Sequence, residues 1–246
     1  MSPPKAKTGI ILQARLDSSR LPGKSLLPLG GRPLILRVME ALKKVPAEVR
    51  VLACPEDSAA TFEQLAGEAG FELFSGPKED VLKRYCLAIR HFGIDRVIRA
   101  TGDNPFVFAD AAAAICSQAL AVGADYAGYN GLPLGGGIEA ISSEALLRAE
   151  KEAEAPWERE HVCPYLYSHP ELFGLHRPMP PKRWQGKEIR LTVDTREDYE
   201  RAAILYDALC KTEPEGWILD KGRYLGTAII KRYMQLFHKA AEGSPA

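Results

Sequence analysis

The first 130 residues alternate short apolar runs with stretches whose apolar residues recur at helical spacing. Residues 9–12, 49–53, 71–74, 97–100 and 125–129 read as strands. Between them, residues 33–44 carry Leu34, Ile35, Val38, Met39 and Leu42 on one face, and residues 57–69 carry Phe62, Leu65, Ala66 and Ala69. Residues 79–91 and 109–121 complete the helical set. Strands separated by crossover helices predict an α/β fold, with a mostly parallel sheet and helices on both faces. Strands that are apolar throughout, rather than alternating, fit burial on both sides.

After Asn130 the rhythm loosens. Residues 131–137 hold four glycines and one proline and read as a tightly turned loop. Residues 142–152 and 157–168 are expected as helices, 172–175 and 189–193 as strands, and 198–210 as a helix. A last amphipathic stretch places Ile229, Ile230, Tyr233, Met234 and Phe237 together and is expected to fray at 242–246.

Composition removes several functions. The 246 residues carry 32 Lys and Arg against 32 Asp and Glu, so there is no excess positive charge for coating nucleic acid or an anionic membrane. No apolar run approaches the ~20 residues of a membrane span, and residues 1–8 hold no apolar leader. The five cysteines, Cys54, Cys86, Cys116, Cys163 and Cys210, are at least thirty residues apart and show no ligand spacing. They read as scattered reduced thiols, and a cytoplasmic location is expected.

The segment Leu12-Gln13-Ala14-Arg15-Leu16-Asp17-Ser18-Ser19-Arg20-Leu21-Pro22-Gly23-Lys24-Ser25 leaves the carboxyl end of the first strand. An open parallel sheet binds its ligands at that edge. Arg15, Arg20 and Lys24 fall among small and turn-forming residues, where backbone N–H groups and charged side chains together suit a polyphosphate. The alternative for such a loop is a solvated basic surface. Gly23-Lys24-Ser25 is not a Walker A loop, because position 18 is Ser18 rather than glycine and Pro28 and Gly30-Gly31 interrupt the helix that should follow. No G-x-G-x-x-G follows the first strand.

The run Ala14-Arg15-x-x-Ser18-Ser19-Arg20-Leu21-Pro22-Gly23-Lys24 resembles the signature loop of the cytidylyltransferases that activate acidic sugars, the acylneuraminate and ketodeoxyoctulosonate synthetases. Within them it is most similar to the spore-coat polysaccharide branch. Residues 76–85, 99–105 (Arg-Ala-Thr-Gly-Asp-Asn-Pro), 159–165 (Arg-Glu-His-Val-Cys-Pro-Tyr) and 191–198 resemble four further segments of that branch, in order, so the likeness covers residues 9–209.

The resemblance implies one nucleotidyltransferase-like domain over residues 1–246, with a small protruding element at 131–190 that serves dimerisation and the acceptor. It implies transfer of CMP from CTP to an anionic small molecule, with Mg²⁺, in a homodimer that engages neither nucleic acid nor membrane and serves surface glycan or lipid conjugates. Arg15 and Lys24 match residues that hold the triphosphate, with Arg20 as a third and Leu12, Gln13, Ala14, Thr101 and Gly102 beside it. The base would be read by backbone groups near Ala53, Ser75 and Gly76, and Cys54 reads as a packing thiol. Asp103 and Asp194 each follow an apolar strand and are expected to share the metal; taken singly, they also suit a turn cap and a helix N-cap. Acceptor candidates are Arg190, Glu139, Glu160 and His161. Arg190 also reads as a surface strand residue, and Glu160 and His161 as packing or dimer contacts. Substituting Arg15 or Lys24 is expected to cost little stability, as for exposed loop cations. The sialate version of the loop, Arg-Gly-Gly-Ser-Lys, is absent, which argues against sialic acid itself. No general base is evident, which puts an acceptor whose attacking oxygen is already ionised on at least an equal footing with a ketosugar, held by Arg190 or another cation in residues 131–190. Rival readings are a transferase using another nucleotide or an alcohol-phosphate acceptor, and a non-catalytic nucleotide-binding protein.

Overall fold

A computed structural model describes residues 6–212 and 226–237. The expected fraying at 242–246 lies outside the described residues, as do most of the leader positions. In chain order the elements are β1 (Thr8–Gln13), the hairpin strands β2 (Pro28–Leu29) and β3 (Arg32–Pro33), α1 (Leu34–Leu42), β4 (Val49–Pro55), α2 (Ala59–Ala69), β5 (Glu72–Gly76), α3 (Val81–Phe92), β6 (Arg96–Thr101) and α4 (Ala109–Val122). There follow β7 (Tyr126–Ala127), β8 (Glu139–Ser142), α5 (Ser143–Glu152), α6 (Pro156–His161), α7 (Pro164–Ser168), β9 (Leu175–His176), α8 (Arg196–Thr212) and α9 (Gly226–Phe237).

The sheet order is β5-β4-β1-β6-β8-β7-β9. β5, β4, β1 and β6 run parallel, while β8 lies antiparallel between β6 and β7. Successive strand residues point to opposite faces. Ile10, Leu12, Leu52 and Ile98 therefore meet Leu34 of α1, Phe62 of α2, Ile115 of α4 and Leu205 of α8 on one side. Ile11, Val51, Val97 and Ile141 meet Tyr85 of α3, Leu146 of α5 and Leu166 of α7 on the other. Each fully buried side chain of this kind contributes roughly 1.5–3 kcal/mol. Because the four parallel strands share a direction, their carboxyl ends at Gln13, Pro55, Gly76 and Thr101 lie along one edge of the sheet. All the loops that follow them meet there.

A separate two-stranded antiparallel element is formed by β2 and β3. Its turn needs positive φ at two successive residues, supplied by Gly30 (57°) and Gly31 (76°). A Cβ on Gly30 would stand 2.1 Å from the Tyr206 ring of α8, so the close packing of hairpin on helix also requires glycine there.

Three expectations need correction. Residues 157–168 are not one helix: α6 ends at Val162, whose φ is +73°, and Pro164 opens α7. Residues 189–193 are not a strand, since only Leu134 and Arg190 form a bridge and the backbone of Thr192 and Val193 bonds loop carbonyls of Leu134 and Asp103. The strand expected at 172–175 sits later, as β9. The segment 139–142, outside the strands expected from the apolar pattern, enters the main sheet as β8.

Candidate active site

A cavity of about 220 Å³ opens at the carboxyl edge of the parallel strands. Its wall includes Arg15, Arg20 and Lys24 from the loop after β1 and Asp103 from the loop after β6. Asp194 reaches it from the segment before α8. The loop after β1 folds back on itself. Gly23 adopts a left-handed conformation (φ 66°) and its N–H bonds Leu16 O at 3.1 Å, while the buried Ser25 hydroxyl donates to Arg15 O at 3.2 Å. That return aims Lys24 inward, with its side chain only 12% exposed.

Lys24 Nζ donates to Asp103 Oδ2 at 3.0 Å, to Asp194 Oδ1 at 2.9 Å and to Val193 O at 2.9 Å. It is therefore not an exposed loop cation, and the premise for expecting its loss to cost little stability does not hold for it. Arg15 and Arg20 do remain exposed, at 52% and 63%, and Arg20 lies 3.1 Å from Asp194 Oδ1.

Asp103 is positioned by a tight turn at the end of β6. Gly102 N donates to Gln13 O at 2.8 Å, and a Cβ on Gly102 would stand 2.9 Å from Ile35 and 3.0 Å from the Ala14 methyl. The Thr101 hydroxyl donates to Asp103 Oδ1 at 2.6 Å and accepts from Asn104 Nδ2 at 2.7 Å. Val193 N donates to Asp103 O at 2.8 Å, which ties the two carboxylate-bearing segments together.

Asp194 precedes α8 but does not cap it. Thr195 Oγ1 accepts the N–H of Asp198 at 3.2 Å, and Asp198 Oδ2 accepts the N–H groups of Thr195 and Asp194 at 3.2 and 3.1 Å. This is a capping box with Thr195 at its head, which leaves the Asp194 carboxylate free for the cavity. Arg190 donates to Asp198 through Nε at 2.8 Å and to Asp194 Oδ2 at 2.9 Å. Burial opposes the ionisation of Asp194, yet Lys24, Arg20 and Arg190 hold its pKa below the usual carboxylate value.

Other predicted residues divide between this cavity and its surroundings. Gln13, Ala14, Thr101 and Gly102 line it. Leu12 and Ala53 are fully buried, so only their backbone is available to a ligand. Ala53 O accepts Ala14 N–H at 3.2 Å, and Ser75 and Gly76 end β5 beside Cys54 and Pro55. Gly76 lines an adjoining cleft of about 300 Å³ with Pro55, Asp57 and Lys78. Glu160 and His161 are exposed and line the main cavity. They are set there by the end of α6, where Cys163 N bonds His161 O at 2.9 Å across Val162, a γ-turn rarely adopted by a β-branched residue.

Glu139 stands apart. It is held by Arg99, by the Tyr126 hydroxyl at 2.7 Å and by the Tyr167 hydroxyl. Burial opposes its ionisation, but Arg99 keeps its pKa below the usual value. With Arg99, Asn104 and Tyr129 it borders a second cavity of about 290 Å³. Arg190 lines neither that cavity nor the main one.

Sequence reasoning gave no role to Lys78, Arg84 or Asp198. Lys78 Nζ bridges Asp17 Oδ2 at 2.7 Å and Asp57 Oδ2 at 2.9 Å, joining the loop after β1 to the adjoining cleft. Lys78 and Arg84 follow the carboxyl end of β5 at the ligand edge of the sheet and lie in the 76–85 run that resembles a family segment, and those were the available signals.

Two carboxylates from different elements converge on one point, and an ammonium stands there. That donor set fits a divalent cation, because hard oxygen ligands in a pair, with phosphate and water completing the shell, are what Mg²⁺ takes. Among the described residues no group of three or more acidic, histidine or cysteine side chains gathers, so these residues by themselves do not build a full cage.

Comparison with known proteins places the chain in a family. The family profile described as Cytidylyltransferase matches residues 9–223. An uncharacterized protein of Methanocaldococcus jannaschii is 34% identical over 194 residues, covering 77% of this chain and 79% of that one. The spore coat polysaccharide biosynthesis protein SpsF of Bacillus subtilis is 32% identical over 203 residues, covering 80% and 85%. The structure of a cytidylyltransferase from Leptospira borgpetersenii superposes with a TM-score of 0.83 at 25% identity, over 98% of this chain and 99% of that one. With the matched profile spanning most of the sequence, the chain belongs to the cytidylyltransferase family of CTP-dependent nucleotidyltransferases.

Proposed function

We propose that this protein transfers CMP from CTP to an anionic small-molecule acceptor and releases pyrophosphate. The observation that carries the reading is the meeting of Asp103, Asp194 and Lys24 in one cavity with Arg15 and Arg20 on its rim. Attack on an α-phosphate requires chiefly positioning and neutralisation of charge. Arg15, Arg20 and Lys24 supply cations for the triphosphate, and the Gly102 turn brings backbone close to it. Asp103 and Asp194 would hold Mg²⁺, which when bound neutralises phosphate charge as a Lewis acid. Backbone groups of Ala53, Ser75 and Gly76 are the base-reading positions, next to the cleft beside the main cavity.

The acceptor would enter past Glu160 and His161, the exposed polar groups of the cavity wall. An acceptor attacking through a carboxylate, phosphate or phosphonate oxygen needs no base. One attacking through a hydroxyl needs a proton acceptor, and His161 is the imidazole available on that wall. Arg190 acts by holding Asp194, and Glu139 by shaping the second cavity. The likeness to SpsF supports a role in surface polysaccharide or related conjugates. Dimerisation through residues 131–190 is supported by Leu134, Trp157, Leu172 and Met179, all exposed there. Among the described residues no helix is long and apolar enough to cross a membrane, and we place the reaction in the cytoplasm.

The test is pyrophosphate release from each of the four nucleoside triphosphates, with Mg²⁺, against a panel of acidic sugars, phosphates and phosphonates. Products are identified by mass spectrometry and phosphorus NMR. CTP-dependent release with a CMP-linked product is expected. Release with another nucleotide in preference to CTP, or none with any acceptor, would sink the proposal. Loss of turnover in His161→Ala with a hydroxyl acceptor would assign the proton to His161.

A further inference from the structure

Arg84 lies on α3, is only 2% exposed, and borders the main cavity. Its Nη1 donates to Pro77 O at 2.5 Å and Lys78 O at 3.4 Å. Its Nε is buried with no hydrogen-bond partner. Among the described residues no carboxylate lies within ion-pairing distance of it; Asp80 acts on it from farther away, and Asp80 is itself paired with Arg159 at 2.7 Å. Other inward cations differ: Arg99 has Glu139, Arg159 has Asp80, and Lys24 has two carboxylates. A guanidinium withdrawn from water without a counter-charge is costly to keep. The surrounding wall does not supply one. It offers Arg15, Arg20, Lys24, Lys78 and Arg84 against three carboxylates, Asp103, Glu160 and Asp194.

We infer that Arg84 is a ligand to the phosphate groups of the bound nucleotide, and that the nucleotide is its missing counter-charge. This rests on reading the cavity as a triphosphate site. The planar guanidinium suits the task, because Nη1 bonds the loop carbonyls while Nη2 remains for a phosphate oxygen. Through Pro77 and Lys78, Arg84 also holds the loop that ends in the Asp17–Lys78–Asp57 bridge. Phosphate bound to Arg84 thus fixes the loop beside the base-reading positions.

The competing role is a brace, in which Arg84 does no more than hold that loop. Two variants separate the roles. Arg84→Gln keeps a donor for a loop carbonyl but loses the charge. Arg84→Lys keeps the charge but cannot span the carbonyls and a phosphate together. Binding of inorganic pyrophosphate and of CTP, each with Mg²⁺, is measured by calorimetry on protein shown to be folded by circular dichroism. For a phosphate ligand, R84Q weakens both affinities on the order of tenfold or more, and R84K stays within a few-fold of wild type for pyrophosphate. Equal losses in both variants, the reverse order, or wild-type affinity in R84Q overturns the inference. Should R84Q not fold, R84K decides alone: pyrophosphate affinity within a few-fold of wild type sustains the inference, and a tenfold loss overturns it. Wild-type protein that binds pyrophosphate but not CTP would overturn the cytidylyl reading and leave the Arg84 comparison decisive. Binding of neither by wild type would remove both.

Discussion

Asp198 lies outside the cavity, yet the geometry makes it the anchor of the Asp194 segment. Its side chain is 4% exposed and receives Arg190 and the N–H groups of Asp194 and Thr195. Burial opposes its ionisation, but those hydrogen bonds bring its pKa from 3.8 down to about 2. A depression of that size corresponds to about 2.5 kcal/mol of folding stability. Breaking a buried charge pair by removing one partner costs roughly 3–5 kcal/mol. Asn keeps one acceptor oxygen and Arg190 keeps Asp194, so Asp198→Asn is expected to cost about 2–4 kcal/mol at pH 7. For a chain of this size that lowers the melting temperature by roughly 5–15 °C. The sign with pH follows from linkage. The group's pKa is lower when folded, so its contribution is complete above the unfolded value and disappears as pH falls from about 4 to about 2. Urea unfolding of wild type and D198N at pH 7 and along that acid range is the assay. The gap between them should close on acidification, because wild type loses the same contribution. A variant as stable as wild type at pH 7, or a gap that does not change down to pH 2, would refute the reasoning.

Asp103→Asn and Asp194→Asn each remove a charge with little change of shape. Each should reduce Mg²⁺-dependent turnover by orders of magnitude, and activity within a few-fold of wild type would return that residue to a structural role. Lys24→Met leaves two carboxylates facing each other and should cost roughly 2 kcal/mol in the free protein. Mg²⁺ should then raise its melting temperature more than that of wild type, and an equal response would argue against a shared metal position. Arg15→Ala, at an exposed position, should leave stability within about 0.5 kcal/mol while weakening CTP binding measured by calorimetry. At Val162 the usual order of substitutions should invert. Val162→Gly relieves the positive φ that Val162→Ala retains, so the glycine variant should be the more stable by about 1 kcal/mol in thermal unfolding, and the opposite ranking would contradict the γ-turn.

The alternation of apolar strand and amphipathic helix through residue 130 specified the layered α/β architecture, because period and burial are local properties of a chain. It also indicated where ligands belong, since parallel strands share one carboxyl edge, and Arg15, Arg20, Lys24 and Asp103 sit on loops at that edge. Tertiary structure decided what depends on distant partners. Residues 139–142 became a strand because β6 and β7 offered them an antiparallel slot, and 189–193 did not because only Leu134 pairs there. The break after α6 depends on a single backbone angle at Val162, for which Pro164 was the visible trace. Arg190 and Asp198 lie eight residues apart, but their pairing with Asp194, and that of Asp194 with Lys24 across 170 positions, exists only once the sheet has brought the loops together. Residue type marks a charge as available; which opposite charge it meets is set by the fold, because electrostatic partners are chosen by distance in space.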